Sequence, residues 1–135
     1  MYIFAADKTS IKTLVNSYYK LAKKWFMFQL QTHKNKLTKL CNNNLAIDKL
    51  YLFGSALTPK FNDESSDIDV FVELADLPPE VCGEKLIDLW DNLELIFKRK
   101  VDLLTANSLR NPFLKNEVDK TKKLIYDRQN RKIFI

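Results

Sequence analysis

Three aspartates and one glycine–serine pair carry the residue types that could do chemistry. Asp67 and Asp69 stand two apart in the run DIDVFVEL, and Asp102 sits in a second short apolar run, VDLL. In an extended strand alternate side chains share a face, so the roots of the first two carboxylates lie roughly 7 Å apart on one side. Carboxylates brought together repel and call for a cation. Hard oxygen donors favour Mg²⁺, with Mn²⁺ as the alternative, bound through one or two carboxylates and substrate phosphates. Gly54-Ser55 closes the run YLF and supplies the complementary half. A glycine at a turn lets backbone N–H groups approach an anion, and the serine hydroxyl adds a donor. Such a set could align a nucleoside triphosphate for in-line attack by a hydroxyl, with Asp102 helping to deprotonate the acceptor.

The elements that must position these groups can be read from periodicity. DKLYLFG predicts a short strand over about Lys49 to Phe53, ended by Gly54. DIDVFVEL alternates: Ile68, Val70, Val72 and Leu74 form a packing face, while Asp67, Asp69, Phe71 and Glu73 point outward. Glu73, four positions beyond Asp69, reads as a solvated residue. Pro78 and Pro79 open a helix whose apolar face is Leu86, Leu89, Trp90, Leu93, Ile96 and Phe97. VDLL then returns as a strand, so strand, helix and strand form a parallel crossover that sets Asp102 beside the DID strand. Asn111-Pro112 reads as an N-cap and N1 proline launching a last helix toward Tyr126.

Upstream, apolar residues from Ile11 recur at helical spacing, and WFMFQL, Trp25 to Leu30, is apolar nearly all round. That girdle must be covered by the core, by a second copy or by a partner. A further helix around Leu37, Leu40 and Cys41 should stop at Asn42 to Asn44, whose side chains compete for backbone hydrogen bonds.

With 135 residues the chain suits one domain and one core, residues 1–135, with 1–30 as a helical extension. Apolar residues at 46% and charged residues at 29% exclude a disordered or fibrous chain. The net charge of +5 comes from widely spread lysines and points only generally to an anionic partner; no aromatic-rich RNA-binding signature accompanies it. Cys41, Cys82 and the single His33 lack the spacing of a zinc site. Neither a signal-peptide pattern nor an apolar run of membrane-spanning length is present in the sequence, so the expected location is cytoplasmic.

The ordered set LFGS, eleven residues, DID, and VDLL after one helix resembles the minimal nucleotidyltransferases of the DNA polymerase β-like superfamily. The resemblance runs from about Leu37 to Tyr126. It implies an α/β (α+β) fold, a small mixed sheet flanked by helices, and transfer of a nucleoside monophosphate, AMP from ATP above all. By the same resemblance Gly54 and Ser55 hold phosphate, Asp67 and Asp69 bind the metal, and Asp102 is the third carboxylate. Many members are antitoxins that adenylylate a HEPN-domain toxin, which makes a partner protein the implied acceptor. The chain departs from the pattern after Ser55, where Ala56 to Lys60 replace the usual arginine and second glycine, and against that pattern Lys60 would stand in for the arginine as a point charge on the phosphates. Two other readings therefore stay open: a catalytically weak binding module that regulates a partner by contact, and an RNA-directed nucleotidyltransferase. The first helix would serve for contact with a partner or a second copy.

Overall fold

The computed structural model describes residues 10–14, 16–17, 30–54 and 67–133, Lys132 for its backbone alone. Ser55, Lys60 and most of the apolar girdle, 25–29, lie outside the described residues. Residues 10–14 and 16–17 are helical, as their spacing requires, but Ile11 and Leu14 are exposed.

Helix α1, Lys34–Asn43, buries Leu37 and Cys41 and ends where the asparagines begin. Asn44 explains the stop. Its side chain is buried, accepts from the Ala46 N–H at 3.1 Å and donates to the Lys85 carbonyl at 2.9 Å, so it bonds across the chain end instead of extending the helix. Arg128 completes this corner by donating to the carbonyls of Cys41, Asn44 and Ile47. The Cys41 and Asn44 carbonyls also accept backbone N–H groups, from Asn44 and Ile47, so the guanidinium adds a charged donor to a corner that is already turned.

Strand β1 spans Ile47–Phe53, β2 Ile68–Leu74, helix α2 Pro79–Phe97 and β3 Val101–Leu104. A 3-10 turn, Ala106–Ser108, leads to helix α3, Pro112–Thr121, then β4, Lys123–Asp127, and β5, Lys132–Ile133. The five strands lie in the order β3-β2-β1-β4-β5. β2 and β3 are parallel, as the crossover requires, and the other pairs are antiparallel.

One face of the sheet builds the larger core: Leu50 and Leu52 of β1 with Ile68, Val70 and Val72 of β2, covered by Leu37 and Cys41 of α1 and by Leu89 and Leu93 of α2. The opposite face carries a smaller cluster of Phe53, Phe71 and Val118, the last supplied by α3. Phe71 therefore does not look outward as the alternation suggested; it is buried, because α3 folds over that face. A Val118→Ala change there removes two buried methyl groups, at a cost of roughly 1–3 kcal/mol.

The last helix also differs from expectation. It ends at Thr121, and Lys122 turns extended with φ −60° and ψ 135°. Leu124, Ile125 and Tyr126, expected to continue it, instead form β4 and pair with β1. β1 would otherwise present a free edge, and a run of aliphatic and aromatic residues fits a half-buried pleated surface better than an exposed helix end. Trp90 departs too. Expected on the core face of α2, it is 41% exposed. Its indole N–H donates to the Val101 carbonyl at 2.7 Å. Ile68 N–H bonds the Lys100 carbonyl, so the next carbonyl, of Val101, points away from β2 toward the outer edge of the terminal strand. Trp90 covers an acceptor that the sheet leaves open.

Candidate active site

The strand register brings the predicted groups together. Asp69 of β2 lies directly across from Asp102 of β3, and on its other side from Phe53, the last residue of β1. Gly54 follows with φ +73°, a conformation that disfavours a side chain. A Cβ at this position would stand 3.2 Å from Asp69 Cγ, and nearer still to Oδ2. The carboxylate thus occupies the space a side chain would fill, directly against the backbone of the turn. Glycine is needed here twice over, for the backbone angle and for the close approach.

Gly54, Asp69 and Asp102 line an open pocket of about 660 Å³ together with Phe53, Leu103 and Leu104. Its remaining wall comes from Trp90 of α2 and from Phe113, Leu114 and Glu117 of α3. A carboxylate pair faces a largely apolar wall, the composition expected of a small-molecule site with a few placed polar groups. A second groove, about 620 Å³, runs between α1 and α2 and is lined by Lys36, Lys39 and Lys85 beside Asp88. It holds none of the predicted site residues.

Asp67 is placed differently from its partners. It precedes the first residue of β2, pairs with Lys100 at 3.8 Å and does not line the pocket. Among the described residues no three histidine, cysteine, aspartate or glutamate side chains gather as a metal-binding group. The pair Asp69 and Asp102 still fits a hard cation, since Mg²⁺ keeps several waters and takes only one or two carboxylates when phosphates complete its shell. Ser55 and Lys60 lie outside the described residues.

Sequence reasoning missed Trp90, Phe113 and Glu117 as pocket residues. A signal was present for two of them: Phe113 follows the Asn111-Pro112 cap directly, and Glu117 lies one helical turn later on the same face. The cap forms as expected, Asn111 Oδ1 accepting from Phe113 N–H at 2.9 Å. Glu73 is not merely solvated either. It accepts from the Tyr51 hydroxyl at 3.2 Å and stands 3.9 Å from Lys49. Burial first, then the Glu73 charge and hydrogen bond, push the Tyr51 hydroxyl up to about 12.

A mixed sheet with helices on both faces, a glycine turn at one strand end and two carboxylates abreast on the neighbouring parallel strands define a nucleotidyltransferase domain. The chain belongs to the polymerase beta nucleotidyltransferase family, whose sequence model matches residues 35–131. Two curated relatives from Methanocaldococcus jannaschii carry the name “Putative protein adenylyltransferase”. MJ1379 is 34% and MJ0126 31% identical over 97 residues, 72% of this chain and 89% of each relative. A solved toxin–antitoxin complex, MntA–HpeT in a mutant form, matches with a TM-score of 0.50 at 26% identity, covering 71% of this chain and 74% of the solved one. Among the described residues no helix is long and apolar enough to cross a membrane.

Proposed function

We propose that this chain transfers AMP from ATP to a hydroxyl on a partner protein, acting as the antitoxin of a toxin–antitoxin pair whose toxin is of the HEPN class. The observation that carries the reading is the cross-strand register of Asp69 and Asp102 beside the left-handed Gly54. The names of the curated relatives support protein adenylylation, and the solved MntA–HpeT complex supports a toxin partner.

In the proposed reaction the acceptor oxygen attacks the α-phosphorus of ATP. A new O–P bond forms, the bond from the α-phosphorus to the bridging oxygen breaks, and pyrophosphate leaves. Asp102, on the terminal strand, takes the acceptor proton. Asp69 stands between the turn and Asp102, where it would hold the metal that carries the triphosphate. Mg²⁺ or Mn²⁺, when bound, would neutralise the phosphate oxygens and polarise the α-phosphorus. Gly54, with Ser55 and Lys60, would bind the β- and γ-phosphates through backbone N–H groups, a hydroxyl and an ammonium. Asp67, paired with Lys100 outside the pocket, would have to leave that pair to serve as a second metal ligand.

The test is incubation of the purified chain with ATP, Mg²⁺ and the protein encoded beside it, followed by mass spectrometry of both proteins. One or more AMP groups on the neighbour is the expected result. A tight complex with no added AMP would replace catalysis by the contact-only reading, and label on RNA would move the acceptor to nucleic acid.

A further inference from the structure

We infer that Phe113 and Glu117, on the first two turns of α3, form the subsite for the nucleotide base: Phe113 stacks on it and Glu117 accepts from its exocyclic amino group. This rests on the reading of the carboxylate pocket as the nucleoside triphosphate site, and it assigns the part of that pocket which phosphate and metal chemistry leave unexplained.

Phe113 is 85% exposed, the most exposed of the large hydrophobic side chains among the described residues. An isolated exposed phenylalanine is unremarkable. This one, however, lines the same pocket as Asp69 and Asp102, and its backbone is fixed by the Asn111 cap. A triphosphate has no use for an aromatic wall; a purine does, since every base offers a π-face. Trp90 forms a fixed part of the same pocket, its indole tied to the Val101 carbonyl. That part of the wall is therefore preorganised, which lowers the ordering cost of binding.

Glu117 lines the pocket four residues after Phe113, on the same helix face. A carboxylate only accepts hydrogen bonds. With the six-position of a purine turned toward α3, it accepts from the amino group of adenine and repels the O6 of guanine, whose own donors, N1–H and the 2-amino group, lie further along that edge. For a purine held in that orientation, adenine is the base selected.

Calorimetry in Mg²⁺ with ATP, GTP and inorganic tripolyphosphate tests this on the intact chain. For Phe113→Ala the expected result is ATP affinity reduced by roughly tenfold or more with tripolyphosphate binding unchanged, and Phe113→Tyr restoring ATP binding. For Glu117→Gln, whose amide both donates and accepts, discrimination of ATP from GTP should shrink. Thermal unfolding of each variant, expected to match the parent because both side chains are exposed, separates a binding effect from a folding one. Unchanged ATP affinity in Phe113→Ala overturns the inference, and if acceptor saturation alone suffered, Phe113 would belong to the acceptor side. Absence of ATP and tripolyphosphate binding in the parent chain would instead remove the nucleotide reading of the pocket.

Discussion

Replacing Gly54 by alanine tests the closest approach in the site. The backbone angle of +73° costs a non-glycine residue roughly 1–2 kcal/mol. The new methyl would also stand 3.2 Å from Asp69 Cγ and closer to Oδ2, so the carboxylate must swing away or β1 must shift. Together these predict a loss of roughly 2–3 kcal/mol in urea unfolding. They also predict a fall in AMP transfer of about a hundredfold, because a carboxylate displaced by about 1 Å no longer holds its charge where the reaction needs it. A double-mutant cycle separates the two causes. In an Asp69→Ala background Cγ and Oδ2 are gone, so Gly54→Ala should cost only the backbone part, roughly 1–2 kcal/mol. An equal penalty in both backgrounds would show that the two residues do not touch, and no penalty in either would refute the left-handed turn itself.

Three further expectations follow from other parts of the structure. Asp102→Asn should lower the transfer rate far more than nucleotide affinity, whereas Asp69→Asn should lower both; single-turnover rates and calorimetry separate them, and parallel losses in Asp102→Asn would make it chiefly a metal ligand. Tyr51 should ionise at about 12, against 10.0 for a free phenol. A raised folded-state value means that its contribution to stability is complete below pH 10 and is lost as pH rises toward 12; a Tyr51→Phe variant should lose that part of the alkaline slope, followed by phenolate absorbance and urea unfolding. Arg128→Ala should destabilise by roughly 1.5–3 kcal/mol, since the α1–β1 corner loses a charged donor while the Cys41 and Asn44 carbonyls keep backbone N–H partners; a change below about 0.5 kcal/mol would show that water replaces the guanidinium there.

Much of the site was legible because its logic is local. The DID strand, the α2 crossover and VDLL are consecutive, and a parallel crossover leaves little freedom in which strands become neighbours, so Asp69 and Asp102 could be paired from the sequence. Gly54 was legible as a strand end, although its contact with Asp69 needed the β1–β2 register. What escaped depends on tertiary choice. Leu124 to Tyr126 satisfy a helix or a strand, and the free edge of β1 decides between them. Trp90 fits the helical apolar stripe, yet an uncovered carbonyl at the sheet edge draws it out of the core. Asp67 has the spacing of its neighbour but precedes the strand, so the alternation that would align it with Asp69 does not govern it.

The central claim, nucleotidyl transfer at the Gly54–Asp69–Asp102 centre, is tested most directly by following both ends of the triphosphate in one reaction with the neighbouring gene product. With ATP labelled at the α-phosphate, label should appear on the partner protein in amounts equal to the pyrophosphate released, and Asp69→Asn should abolish both. Label transferred from the γ-phosphate instead, or α-label incorporation undiminished in Asp69→Asn, would contradict the account.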